Sequence, residues 1–311
     1  MGSERAGRPL GAAVGIVLDW LVPEPPGAVH PVVLFGSVMT GLERRIHRDA
    51  KGAGLVHTAA GLALGVTAGA VVRSTALATT SAVAGRALAG AASDVERSLR
   101  DDDLERARAQ LPALVGREAG GLDEMEIARA VVESVAENTV DAVVAPAFWG
   151  AVAGAPGALG YRAANTLDSM VGHRSTRYAN YGWASARFDD LLAWVPARVT
   201  AALVALVRPG SATSVWRAVR EQAPAHPSPN AGVAEAAFAA ALGVRLGGVN
   251  RYGAHSETRP VLGDGPPAGV EDIAAAVRLS RDVSAALAAL LALAGLARRA
   301  GARRSQRRGS R

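Results

Sequence analysis

Two runs of twenty residues carry no formal charge: Ala53–Val72, AGLVHTAAGLALGVTAGAVV, and Ala142–Tyr161, AVVAPAFWGAVAGAPGALGY. About twenty apolar residues in a helix cross the hydrocarbon core of a bilayer. Pro146 and Pro156 would kink the second run, which membrane helices tolerate when neighbours satisfy the freed backbone groups. Three further stretches are candidates. Leu191–Val207 is interrupted by Pro196 and Arg198, Ala231–Leu246 contains Glu235, and Val283–Ala297 is short but ends at Arg298 and Arg299, which can snorkel. Half of the chain is apolar yet only 4% is aromatic. Alanine and glycine in place of large side chains suit helices that approach closely, as membrane bundles do.

Leu10–Leu21 is a short apolar helix candidate, stopped by VPEPPGAVHP, and Val32–His47 is amphipathic. Ser74–Gly85 prolongs the first uncharged run beyond Arg73, as one long helix or two shorter ones. Asp94–Glu126 is strongly charged and is expected as exposed helices with a loop near Gly120, after which Asp123 and Glu126 form a capping box. No strand alternation persists and no internal repeat is visible. The fold class is therefore all-α: a polytopic helical membrane protein with roughly four to five spans and a polar, loop-rich region. The alternative is a soluble alanine-rich bundle. A single membrane-embedded domain is expected over residues 1–311, with its core at 10–300, the charged segment at 94–128 and a basic tail at 298–311.

The net charge of +6 gathers in that tail, ARRAGARRSQRRGSR. Such a tail suits nucleic acid or the cytoplasmic flank of a membrane helix, and the uncharged run directly before it favours the flank. Nucleic acid is accordingly not an expected partner. The chain has no cysteine, which excludes disulfides, thiolate metal sites and a cysteine nucleophile. Arg5 and Arg8 precede PLGAAVGIVLDWLV, too short and too soon broken by Asp19 for a signal peptide.

Three polar groupings stand out. Glu133, Glu137 and Asp141 recur every fourth residue, which puts them on one helical face. With no basic residue between Arg129 and Arg162, an acidic stripe of this kind favours hard-cation ligation, best suited to Mg²⁺, over a solvated face. The second grouping, Tyr161–Asp190, interleaves Arg162, Asn165, Asp168, His173, Arg174, Arg177, Arg187, Asp189 and Asp190 with aromatics, between two apolar runs. Guanidinium forks match phosphate and carboxylate, and Asp168 suits a metal or the orienting of an arginine. Positive-inside charge would account for the arginines but not for the aspartates and asparagines among them. The third grouping is HPSPNAG, His226–Gly232, where prolines present His226 and Asn230 at a helix entry with Asn230 as N-cap; VRLGGVNRYG follows at 244–253. A well-built turn alone would explain it equally. His30, in VHPV, says little by itself. No P-loop, GxGxxG, HExxH or GxSxG motif occurs.

The stretch from Glu133 to Ala201, ESVAENTVDAVVAPAFWGAVAGAPGALGYRAANTLDSMVGHRSTRYANYGWASARFDDLLAWVPARVTA, closely resembles the signature region of the CobD/CbiB family, the adenosylcobinamide-phosphate synthases. LDWLVPEPPGAVHPVVLFG, HPSPNAGVAEAAFAAALGVRLGG and NRYG agree as well, so the resemblance runs from Leu10 to the C-terminal apolar helix. It departs at Pro23–Pro25, where the family's GDP is replaced and Glu24 stands one methylene longer than aspartate.

The resemblance implies a multi-pass protein of the cell membrane in cobalamin biosynthesis. It implies ATP-dependent, Mg²⁺-assisted amide formation between adenosylcobyric acid and (R)-1-amino-2-propanol or its O-phosphate. Read through these residues, Glu133, Glu137, Asp141 and Asp168 would organise Mg²⁺ and ATP. Arg162, Asn165, Arg174, Arg177 and Arg187 would hold phosphate, and His226 and Asn230 the substrate. Glu137, Asp168 and His173 would be catalytic, with His173 or a carboxylate taking the amine's proton. Tyr178, Tyr181, Trp183 and the HPSPN turn would wall the corrinoid. Besides substrate and lipid, the reading leaves room for a homo-oligomer or a complex with neighbouring pathway enzymes. The rival reading is a non-catalytic membrane protein that binds or transports corrinoids.

Overall fold

Alanine, leucine and valine at helical spacing, broken by glycine and proline, produce a chain that is helical almost throughout. The computed structural model describes residues 2–25, 27–115, 120–173, 175–252 and 255–309, with side chains at all of these except 2–6, 28, 249–252, 255–258 and 302–309. The helices are α1 (Gly2–Leu21), α2 (Pro31–Ile46), α3 (Lys51–Val72), α4 (Thr75–Ala82), α5 (Gly85–Arg100), α6 (Leu104–Gln110) and α7 (Glu124–Thr139). There follow α8 (Ala145–Ala153), α9 (Ala155–Leu167), α10 (Trp183–Val207), α11 (Ala212–Glu221) and α12 (Ala231–Leu242). A hairpin, β1 (Leu246–Tyr252) and β2 (His255–Leu262), and α13 (Val270–Gly309) complete the order. The chain divides into two compact units, residues 1–84 with 145–193 and 287–311, and residues 85–144 with 194–286.

Among the described residues, three helices are long and apolar enough to cross a membrane: Lys51–Val72, Trp183–Val207 and Val270–Gly301. The expected span at Ala142–Tyr161 is divided. Gly154, at φ 74°, stops α8 after nine residues and starts α9. At 1.5 Å per residue those nine reach about 14 Å, less than half a hydrocarbon core. The apolar run after Asn230 likewise closes as a twelve-residue helix at Gly243.

In the first unit, Arg73 adopts the left-handed conformation at φ 59° and separates α3 from α4, whose N-cap Ser74 accepts the Leu77 amide at 3.3 Å. The prolongation after Arg73 is thus a second, short helix. Along α3 the buried residues include Gly54, Gly61, Gly65 and Gly69. The last three recur every fourth residue and meet α9: a Cβ at Gly65 would lie 2.6 Å from Ala163 Cβ, and one at Gly69 2.5 Å from Ala155 O and Pro156 N. Small residues in this register let two backbones touch.

The second unit contains the charged segment and the hairpin. Asp123 caps α7 as the spacing predicts, with Asp123 Oδ1 accepting Glu126 N at 2.8 Å and Glu126 Oε2 accepting Asp123 N at 3.0 Å. Ion pairs such as Arg97–Asp94 and Arg108–Glu105 mark its exposed surface. The α12 helix is buried from Ala231 to Ala239. The β1–β2 hairpin is antiparallel, with a register break between Leu246 and Gly248 where Gly247 and Gly248 take φ of 76° and 90°. Among the described residues two π-turns interrupt the helical register, Val140–Val144 after α7 in this unit and Asp168–Gly172 after α9 in the first.

Candidate functional site

In the first unit, α9 ends at Leu167 and the π-turn opens with Asp168. Here i→i+5 bonding replaces i→i+4, a local widening frequent at functional sites. Asp168 is half-buried, and a Cβ at Gly172 would overlap its Oδ1. Only glycine leaves the carboxylate that position. One turn earlier on α9, Arg162 Nη1 reaches Asn165 Oδ1 at 3.4 Å, and Asn165 Nδ2 reaches the buried Asp189 at 3.5 Å. Three expected residues are thereby joined in a row.

A polar turn follows, from His173 to Gly182, its backbone closed by Ala179 N to Ser175 O at 2.9 Å and Gly182 N to Tyr178 O at 2.7 Å. Glycines fix its far end. A Cβ at Gly54 would overlap Tyr181 O, and one at Gly182 would overlap Val171 O. Four contacts tie the turn to α2 and the residues just after it. Arg177 Nη2 and Tyr178 Oη both donate to Glu43 Oε1 at 2.9 Å, His47 Nε2 lies 3.3 Å from Arg177 O, and Asn180 Nδ2 donates to Asp49 at 3.0 Å. The His173 ring is exposed and meets Tyr178 edge to face at 4.9 Å. Arg187 is exposed and pairs with Asp190 at 3.4 Å. Arg174 lies outside the described residues.

One expected wall residue is misplaced. Tyr181 is fully buried, its ring 4.8 Å from His47 and 5.3 Å from His57, so it belongs to the packing beneath the turn and offers no surface to a substrate. Burial pushes its hydroxyl up to about 12. Trp183 is 44% exposed, with Lys51 Nζ 5.3 Å from its ring centre, and does present a surface.

At the start of the same unit the His-Pro turn has a structural task. His30 Nδ1 accepts the Val32 amide at 3.3 Å and caps α2, which leaves the ring proton on Nε2, 3.4 Å from Glu24 Oε2. The longer Glu24 therefore still reaches a partner.

Glu43 ionises against the cost of burial, yet the bonds from Arg177 and Tyr178 and the neighbouring guanidinium hold its carboxyl below its usual range. Its folded value is depressed, so the stabilisation is fully present above the ordinary carboxylate range and is lost as pH falls through the folded value. Thermal inactivation followed as a function of pH should show the acid-side loss shrink in Glu43→Gln relative to wild type. Equal acid-side slopes would show that Glu43 is not linked to folding.

In the second unit the acidic stripe separates by environment. Glu133 is buried, Glu137 exposed and Asp141 half-buried. Glu133 Oε1 accepts the Gly247 amide of β1 at 2.8 Å and lies 3.8 Å from Arg129 Nε. The basic partner thus stands one turn before the stripe, and Glu133 ties α7 to the hairpin. Asp141 falls inside the π-turn, which moves it off the every-fourth-residue register of Glu133 and Glu137. Among the described residues no three Asp, Glu or His side chains gather as a metal cage. The carboxylates are offered singly, a set that suits Mg²⁺ held largely by nucleotide phosphates and water with one or two protein oxygens.

The HPSPN turn is also in this unit. His226 Nε2 faces Glu235 Oε1 at 3.6 Å, with side chains 5% and 2% exposed. Asn230 stands at the N-cap position, but its side chain does not cap. Ser228 Oγ accepts the Asn230 and Ala231 amides at 3.3 and 3.1 Å, while Asn230 Oδ1 accepts Arg198 Nη1 at 3.1 Å. Arg198 lies 4.3 Å above the Trp194 ring. Glu43, His47, Arg198 and Glu235 are the residues that sequence reasoning passed over. Only the last two left a trace, as lone charges inside apolar runs.

The chain matches the family model described as CobD/Cbib protein over residues 12–280. It is 47% identical to a cobalamin biosynthesis protein CobD of Mycobacterium tuberculosis (strain ATCC 25618 / H37Rv) over 298 residues, 91% of this chain and 94% of that protein. It is 44% identical to a cobalamin biosynthesis protein CobD of Chromobacterium violaceum, over 86% of this chain and 90% of that protein. It is 38% identical to a cobalamin biosynthesis protein CbiB of Salmonella typhi, over 85% of this chain and 90% of that protein. No solved structure gives a significant match. A family match across most of the length, with relatives this similar over nearly their whole extent, places the chain in the CobD/CbiB family.

Proposed function

We propose that the protein is a multi-pass cell-membrane enzyme of cobalamin biosynthesis that joins adenosylcobyric acid to (R)-1-amino-2-propanol or its O-phosphate in an ATP-dependent amide ligation. The observation that carries this reading is the match to a family whose relatives are named for cobalamin biosynthesis. The chain's own chemistry supports it: a half-buried aspartate, an imidazole and an arginine-bearing turn follow one another from Asp168 to Arg187.

A carboxylate is a poor electrophile. Transfer of the ATP γ-phosphoryl to the corrinoid carboxylate gives an acyl phosphate and ADP; attack by the amine forms the amide and releases phosphate. Mg²⁺ with ATP supplies charge neutralisation on the transferring phosphoryl. Asp168 is proposed as a carboxylate ligand within the first unit, and Glu137 and Asp141 as carboxylate ligands within the second. Arg162, Arg177 and Arg187 hold phosphate, with Arg174 assigned the same role from the sequence. His173 takes the proton that the attacking amine gives up. His226 and Asn230 contact the corrinoid.

The experiment is direct. The full chain, purified in lipid nanodiscs, is incubated with adenosylcobyric acid, aminopropanol phosphate, ATP and Mg²⁺. One ADP should form for each corrinoid amide. Corrinoid binding without any ATP-dependent product would instead assign the chain to the non-catalytic binding or transport class.

A further inference from the structure

Glu43 lies in GLERRIH on α2, a pattern that reads as the solvated end of an amphipathic helix. Its side chain is nevertheless only 7% exposed. A buried carboxylate has to be compensated by hydrogen bonds or charge. Both of its bonds come from the polar turn, more than 130 positions later in the chain, and both end on the same oxygen: Arg177 Nη2 and Tyr178 Oη at 2.9 Å each.

These bonds fix side chains, not the turn itself. The backbone of the turn is already anchored by His47 at Arg177 O and by the close approaches at Gly54 and Gly182, and Asn180 adds a side-chain bond to Asp49. Glu43 adds direction. Arg177 uses Nη2 to reach it, while the side chain remains 59% exposed, so the outer part of its donor fork faces solvent. Tyr178, held by its hydroxyl, stands edge to face with His173. One buried carboxylate thus sets the aim of an arginine and, through a tyrosine, the seat of an imidazole.

We propose that Glu43 is the positioning residue of a phosphate-binding turn, holding Arg177 and Tyr178 so that the guanidinium meets a phosphate already aligned. The inference rests on the ligase reading above, in which the phosphate belongs to ATP or to aminopropanol phosphate. A pre-aligned arginine loses less rotamer freedom when its ligand arrives, so its loss shows mainly in substrate affinity.

The test compares wild type, Glu43→Gln and Tyr178→Phe as full chains in nanodiscs. KM is measured separately for ATP and for aminopropanol phosphate, with kcat at saturation. Glu43→Gln should raise KM for one of the two about tenfold, the size of one lost charge-assisted bond, with a smaller change in kcat. The substrate whose KM moves identifies the phosphate. Tyr178→Phe should move the same KM less. Wild-type KM values for both substrates in Glu43→Gln would overturn the proposal, and so would a fall in kcat alone. Should Glu43→Gln fail to accumulate, Tyr178→Phe carries the same expectation and the same refutation. A wild-type protein that makes no product sinks the ligase reading but not this one. Equilibrium binding of ATP and of inorganic phosphate to the same variants then decides, and unweakened binding in Glu43→Gln would overturn it.

Discussion

Asp168→Asn should lower ATP-dependent turnover about a hundredfold or more, a loss of roughly 2.7 kcal/mol of transition-state stabilisation. Asparagine keeps the shape that the π-turn accommodates and removes only the charge, so the yield of folded protein should stay near wild type. The environment singles this carboxylate out. It is half-buried, it opens a π-turn, and Gly172 lacks the Cβ that would otherwise occupy its place. Glu137→Gln is the companion variant, at an exposed position of the acidic stripe. Turnover at the wild-type rate in both variants would remove the carboxylates from the proposed Mg²⁺–ATP role. Gly172→Ala separates charge from placement: it keeps the carboxylate and pushes it aside, and should reduce turnover as Asp168→Asn does.

Local rules were legible wherever local chemistry decides the outcome. Asp123 and Glu126 sit three residues apart before an apolar helix, and the capping box forms. VPEPPGAVHP breaks α1 from α2 because proline cannot continue a helix. Hydrophobic runs located the long helices but not where a run breaks. Gly154, at a positive φ, splits a run that hydropathy alone joins. The hairpin was hidden because its strands are announced by paired glycines, Gly247 and Gly248, and not by alternating apolar residues.

The candidate site was legible by composition and opaque by pairing. The interleaving of arginine, aspartate and asparagine between apolar runs was plain in the sequence. That Arg177 and Tyr178 would find Glu43, and that Glu133 would find the Gly247 amide, depends on contacts more than a hundred positions apart. Helical spacing says which residues share a face and nothing about what that face meets. The three acids of the stripe are therefore alike in sequence and unlike in surroundings, and Asp141 is further displaced by a π-turn that no residue pattern announces.

Gly69→Leu should destabilise the first unit by about 3 kcal/mol, at the upper end for overpacking, and sharply reduce the folded protein recovered in detergent. Most overpacked sites relax by turning a side chain. Here the atoms in the way are backbone: Ala155 O, Pro156 N and Pro156 Cα each lie 2.5 Å from a Cβ built at Gly69. Relief requires the first turn of α9 to retreat from α3, and α9 leads into the π-turn at Asp168. The variant should therefore lose activity as well as stability. Gly52 lies on the same helix with nothing within 4 Å of its Cβ position, so Gly52→Leu controls for loss of glycine in α3 and should be recovered at wild-type yield and thermal midpoint. If Gly69→Leu matched Gly52→Leu in both measurements, the close approach of α3 to α9 would not be what holds this unit together.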